Sequence, residues 1–222
     1  RAVEFLDALQ NKQPFFLIMS YIDPHRGHSD DGATYATGNL KFPRVKLGLP
    51  ESPTPEDEVV PMPFLGLDSP DIREEQADYY GAVDRLDIGI GDLRQKLEKR
   101  GVWDDTLVVF VGDHGPDVTR GKMAVYESAV RIPFIVCGAG VDAGLAREEF
   151  VSTIDLFPTF LQAAGAENPV VDKRQAGRPL QPLLQSGAQP WRKRIFTEYI
   201  THVPWHFYPR FTVREDKWKL VF

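Results

Sequence analysis

Four short apolar runs constrain this chain more than any other feature. They occupy residues 15–22, 106–111, 133–137 and 195–200. All four are about as long as a strand, and the first three are largely continuous rather than alternating, as in strands covered on both faces. A helical pattern fills residues 72–100, between the first run and the second. Ser69 or Asp71 can cap it, Pro70 suits its first turn, and Gly101 is a natural stop. A second helical pattern covers residues 153–164 and ends at Gly165. A short amphipathic pattern opens the chain, with Val3, Phe5, Leu6 and Leu9 on one side and Pro14 ending it. Residues 211–214 and 217–222 read as a hairpin around Glu215-Asp216. Strand–helix alternation of this kind predicts an α/β fold with a mainly parallel sheet.

Composition narrows the function classes. The chain has 222 residues, 42% apolar and 26% charged, enough for one to one and a half soluble domains. A net charge of −6 provides no bulk attraction for nucleic acid or an anionic membrane. No apolar run is long enough for a helix to cross a bilayer. Cys137 is the single cysteine, which excludes an intrachain disulfide. It lies in a strand-like run and reads as a structural thiol. The first residue is Arg1, in a helix-like pattern, and the last run stops at Phe222, so both ends are expected to be cuts in a longer protein.

In open α/β sheets, ligands bind beyond the carboxyl ends of the strands. Asp23-Pro24-His25 and Gly112-Asp113-His114-Gly115 each follow an apolar run directly, which predicts that two distant polar clusters share one rim. Asp113 and His114 are two metal-ligand types on a glycine-flanked turn, or an ordinary turn with a solvated acid. Lys122, nine residues after Asp113, can hold a tetrahedral anion as a point charge or lie solvated on the surface. His25 and His28 can hydrogen-bond an anion or donate a proton, or serve structure alone. Asp87 reads as a buried hydrogen-bonding group. Lys41, Arg44 and Lys46 lie in a long Pro- and Gly-rich stretch, and His202 and His206 lie among Trp205, Phe207 and Tyr208. Both groups read as surface or packing residues with a possible role at a sugar.

Taken in order, the motifs resemble the sulfatases of the alkaline-phosphatase-like superfamily. Residues 106–115, then Gly121-Lys122, Tyr126-Glu127 and Arg131-Ile132-Pro133, are similar to a conserved region of that family. So are Asp155-Leu156-Phe157-Pro158-Thr159 with Gly165, and Arg214 with Lys217-Trp218-Lys219-Leu220. Asp23-Pro24-His25-Arg26-Gly27-His28 resembles the heparan N-sulfatases (N-sulfoglucosamine sulfohydrolases) most.

The resemblance implies an α/β sandwich with a parallel-rich central sheet, part of it lying before this chain. Residues 1–190 would be the C-terminal part of the catalytic domain, and residues 191–222 the start of a small antiparallel subdomain. It implies hydrolysis of a sulfate ester or N-sulfate on a sulfated carbohydrate, with no nucleic-acid partner. Asp113 and His114 would ligate a divalent cation, calcium in most relatives. His25 and Lys122 would be catalytic, and His28, Arg26 and Lys122 would bind substrate. His114 departs from the commoner Asn, and Lys122 from the Arg of the N-sulfatases. The formylglycine nucleophile arises in a Cys/Ser-x-Pro/Ala-x-Arg motif that these residues lack, so the isolated chain is expected to be inert. A phosphodiesterase or phosphonate monoester hydrolase of the same superfamily, or a non-catalytic sulfatase-like binder, is the alternative. By analogy with the family the protein is periplasmic, secreted or lysosomal.

Overall fold

The computed structural model describes residues 2–10, 13–26, 42, 54–166, 176–187, 189–201 and 207–222. His28, Lys41, Arg44, Lys46, His202, Trp205 and His206 lie outside them. The chain divides into two compact units. One comprises Arg1–Trp103 with Pro116–Lys122; the other comprises Asp104–Gly115 with Met123–Phe222.

The first unit is built on helix α2 (Pro70–Lys99), preceded by the short helix α1 (Ala2–Ala8). Local chemistry sets both ends of α2. Ser69 is extended and its Oγ accepts from Ile72 N at 3.4 Å, with Pro70 in the first turn. Asp71 lies at the positive end of the helix dipole, and Lys96 and Lys99 at the negative end. Gly101, at φ 66°, turns the chain out of the helix, a conformation glycine adopts without a Cβ clash. The buried stripe of α2 is unusually small and polar: Gln76, Ala77, Gly81, Ala82 and Arg85, with Leu97 near its end. Lys96 pairs with Asp7 of α1 at 2.5 Å, and Arg100 Nη2 donates to Leu9 O at 3.1 Å. Tyr21 donates its hydroxyl proton to Gly89 O at 2.9 Å.

Two expectations fail in this unit. Residues 15–22 form no strand, because no ladder among the described residues pairs with them. Phe16 and Ile18 stand 63% and 74% exposed, so without a ladder among the described residues the run stays irregular. Asp87 is exposed; the buried charge of α2 is Arg85, two residues away.

The second unit contains strands β1 (Leu107–Val111) and β2 (Phe134–Gly138), the four-residue helix α3 (Glu127–Val130) between them, and helix α4 (Leu156–Ala163). β1 and β2 pair antiparallel, Leu107 opposite Gly138 and Val111 opposite Phe134. The expected parallel pairing is absent among the described residues. A parallel pair needs a crossover, usually helical; here the link carries only α3 and the chain runs back beside itself. Leu180, Leu183 and Leu184 form the core, against Leu107, Phe134, Val136, Val151 and Trp191. Cys137 is half-buried in β2, opposite Val108.

A second sheet holds β3 (Arg194–Thr201), β4 (Phe207–Glu215) and β5 (Trp218–Val221), antiparallel in that order. This is the expected small C-terminal sheet, with its hairpin turning at Asp216, φ 45°. The 3-10 turn Thr153–Asp155 leads into α4 through a capping box between Ser152 and Asp155. Asp155 is fully buried and is the most heavily engaged carboxylate described. It accepts from Ser152 N and Arg178 N, both at 2.8 Å, and from both terminal nitrogens of Arg192, at 2.7 and 2.6 Å.

Candidate functional site

Two predicted residues meet in the first unit. His25 N donates to Ile22 O at 2.7 Å, closing a turn whose corner is the cis Asp23–Pro24 bond. Asp23, 5% exposed, pairs with the buried Arg85 at 3.3 Å, so the turn is moored to α2 by an ion pair out of water. The His25 ring faces outward. Its Nδ1 lies 2.6 Å from Arg26 O. A carbonyl only accepts, so Nδ1 carries the proton and Nε2 keeps a lone pair in the neutral ring. Nε2 lies 2.9 Å from Lys122 Nζ, which donates to it. The ammonium of Lys122 also lies 3.9 Å from Asp117 Oδ2.

Lys122 is delivered by a tight loop, residues 116–122. Val118 N and Lys122 N both donate to Pro116 O, at 2.9 and 2.8 Å, and Gly121 N donates to Val118 O at 2.8 Å. The loop closes so tightly that a Cβ on Gly121 would come within 1.9 Å of Pro116 O, inside any tolerable contact. Arg120 and Met123, on either side of Gly121-Lys122, have φ of 65° and 61°. Non-glycine residues held there carry strain, and such strain concentrates at functional loops.

Asp113 and His114 sit in the second unit, on the turn after β1. Asp113 Oδ1 accepts from His114 N at 2.9 Å, and His114 Nδ1 donates to Gly115 O at 2.7 Å. That leaves Asp113 Oδ2 and His114 Nε2, 3.6 Å apart, each with a lone pair to offer a metal. The Asp113 side chain is 90% exposed, open to a ligand. A neutral imidazole fixed through Nδ1–H is the tautomer that binds a metal through Nε2. The pair therefore fits a divalent cation as part of its ligand set, and among the described residues no third such ligand joins it. Gly115 permits this turn: a Cβ there would lie 1.8 Å from Ser128 O.

Arg26, expected at a substrate, is occupied by protein. Its Nε donates to Asp117 O at 2.5 Å, it forms an ion pair with Glu75, and it stacks over the Phe42 ring at 4.3 Å. Burial lowers its pKa, opposed by the charge of Asp117. Sequence reasoning named Asp23 only as part of the cluster around His25, and passed over Arg85, Glu75 and Asp117 as site-building residues. Only the unusual polar stripe on α2, Gln76 and Arg85 among small residues, hinted at them.

Comparison with known proteins identifies the family. A family model described as "Sulfatase" matches residues 1–166, and one described as "N-sulphoglucosamine sulphohydrolase, C-terminal" matches residues 113–222. The N-sulphoglucosamine sulphohydrolase of Homo sapiens is 31% identical over 96% of this chain, and the match covers 44% of that protein. A solved protein in complex with its substrate, D-glucosamine-2-N,6-O-disulfate, is 29% identical over 70% of this chain and 33% of its own, with a TM-score of 0.55. Another, solved with a neocarrahexaose, is 25% identical over 99% of this chain and 44% of its own, with a TM-score of 0.65. The chain thus spans less than half the length of the relatives it matches.

Proposed function

The chain belongs to the sulfatase family, and from that premise we propose that it serves the hydrolysis of a sulfate ester or N-sulfate on a sulfated sugar. The observation that carries this reading is the 2.9 Å pairing of His25 Nε2 with Lys122 Nζ. Two nitrogen groups from positions 97 residues apart are brought to one exposed point, where a tetrahedral anion can bridge them. Lys122 supplies the positive charge. Charge that grows on the transferring group in the transition state is then stabilised where Lys122 already stands. Once protonated, His25 Nε2 donates to an anion oxygen and passes its proton to the departing oxygen or nitrogen.

The family is generally metal-dependent and uses a formylglycine. Asp113 and His114 would hold the cation. Calcium is our assignment for it, with the imidazole as an uncommon ligand among oxygens. When bound, a divalent cation polarises the sulfate oxygens. The sugar class follows the solved relative bound to D-glucosamine-2-N,6-O-disulfate.

The test is turnover of N-sulfoglucosamine and of an aryl sulfate by the enzyme that carries this chain. Lys122→Ala and His25→Ala are each expected to lower kcat by ~10²–10³. Full activity in both variants, or turnover of a phosphodiester in place of both sulfated compounds, would defeat the reading.

A further inference from the structure

The His25–Lys122 pair is made of two pieces of chain that both lie outside regular elements. His25 rides on a turn, and Lys122 on a loop of seven residues, Pro116–Lys122. A flexible lysine and an outward-facing imidazole lose orientation unless their backbones are fixed to each other. The Arg26 side chain makes that connection. Arg26 follows His25 directly, and its Nε donates to Asp117 O in the Lys122 loop at 2.5 Å. Its other end pairs with Glu75 on α2. Its flat face lies 4.3 Å from the centroid of Phe42, which is 2% exposed and packs edge-on against Tyr79 of α2, centroids 5.2 Å apart. Three faces of the guanidinium are thus engaged by a loop carbonyl, a helix carboxylate and a buried ring. The side chain is only 18% exposed, and a planar five-donor fork suits such bridging in a way that an ammonium cannot.

We propose that Arg26 is a positioning residue, a strut that ties the His25 turn and the Lys122 loop to α2 and so holds His25 Nε2 and Lys122 Nζ on one anion. The proposal rests on the function assigned to that pair. It gives Arg26 a role other than direct contact with the substrate. Glu75 becomes part of the same device, although it is a residue of α2 with no part in the chemistry.

Kinetics separate a strut from a substrate contact. In the enzyme that carries this chain, with N-sulfoglucosamine as substrate, Arg26→Gln is expected to lower kcat about 10- to 100-fold, because misplacing a reacting group by an ångström has that effect. KM should change by less than about 3-fold, since no ground-state contact is removed. Glu75→Gln should reproduce part of the loss. Arg26→Gln combined with Glu75→Gln should be no worse than Arg26→Gln alone. Arg26→Lys, which keeps the charge but not the fork, should not restore kcat. A raised KM with kcat intact, or a silent Glu75→Gln, overturns the proposal.

A second measurement stands apart from turnover. The ring nitrogen resonances of His25 report its tautomer in the chain itself. The wild-type chain should show the Nδ1–H form fixed by Arg26 O, and Arg26→Gln should show a mixture. If His25→Ala and Lys122→Ala leave sulfate hydrolysis untouched, the function assigned to the pair fails; the His25 resonances still decide whether Arg26 holds it. An unchanged tautomer in a folded Arg26→Gln chain counts against the strut. Circular dichroism distinguishes a folded variant from an unfolded one, and if Arg26→Gln unfolds, Glu75→Gln carries the same two readouts.

Discussion

Replacing Asp155 should cost the second unit more stability than any other single carboxylate described. Its side chain is fully buried, and its two oxygens accept four hydrogen bonds. Two come from backbone N–H groups, of Ser152 and Arg178, and two from the guanidinium of Arg192, itself only 11% exposed. In Asp155→Ala the backbone donors lose their acceptor, and Arg192 becomes a nearly buried cation without its counter-charge. Breaking a buried pair from one side costs ~3–5 kcal/mol. Against a typical domain stability of ~5–15 kcal/mol, that is about a fifth of the total at the least. Urea unfolding of the chain, followed by circular dichroism, measures it. The double variant Asp155→Ala with Arg192→Ala should be less unstable than the sum of the singles by ~2 kcal/mol or more, since the orphaned charge is gone. A loss below ~1 kcal/mol for Asp155→Ala, or strict additivity, would refute the reasoning and mean that water replaces the carboxylate at little cost.

Gly121→Ala should disrupt the Lys122 loop, because its Cβ would meet the backbone of Pro116 at 1.9 Å rather than a movable side chain. The expected outcome is loss of inorganic sulfate binding by calorimetry with little change in circular dichroism; retained binding would show that the loop tolerates a different closure. Ser186 donates both its backbone N–H and its hydroxyl to Asp142, which holds that carboxyl below its ordinary 3.8. A depressed carboxylate pKa contributes stability above the unfolded value that is lost as pH falls through the folded one. The urea midpoint should therefore fall below about pH 4, and Asp142→Ala should lose that part of the acid dependence. An identical pH profile in the variant would remove Asp142 from the acid response.

Helix α2 was legible because its signals are local. Ser69, Pro70 and Gly101 act within a turn of their own positions, so the sequence pattern and the observed ends agree within two residues at each boundary. The turn after β1 was legible for the same reason, since glycines on both sides of Asp113-His114 allow little else. The strand reading of residues 15–22 failed because an apolar run states a need for burial without naming a partner. The direction of β2 was likewise hidden, since pairing depends on the path of residues 112–133 rather than on either strand's composition.

The sequence by itself determined the helix ends, the hairpin at Asp216 and the residue types able to bind an anion and a cation, through interactions that span a few residues. Tertiary structure alone decided that His25 meets Lys122, that Arg26 is spent on Asp117, Glu75 and Phe42, and that Arg85 rather than Asp87 is the buried charge of α2. Those outcomes depend on contacts across tens of residues. The closing of such contacts is settled by which groups find partners out of water, and no single stretch of sequence records it.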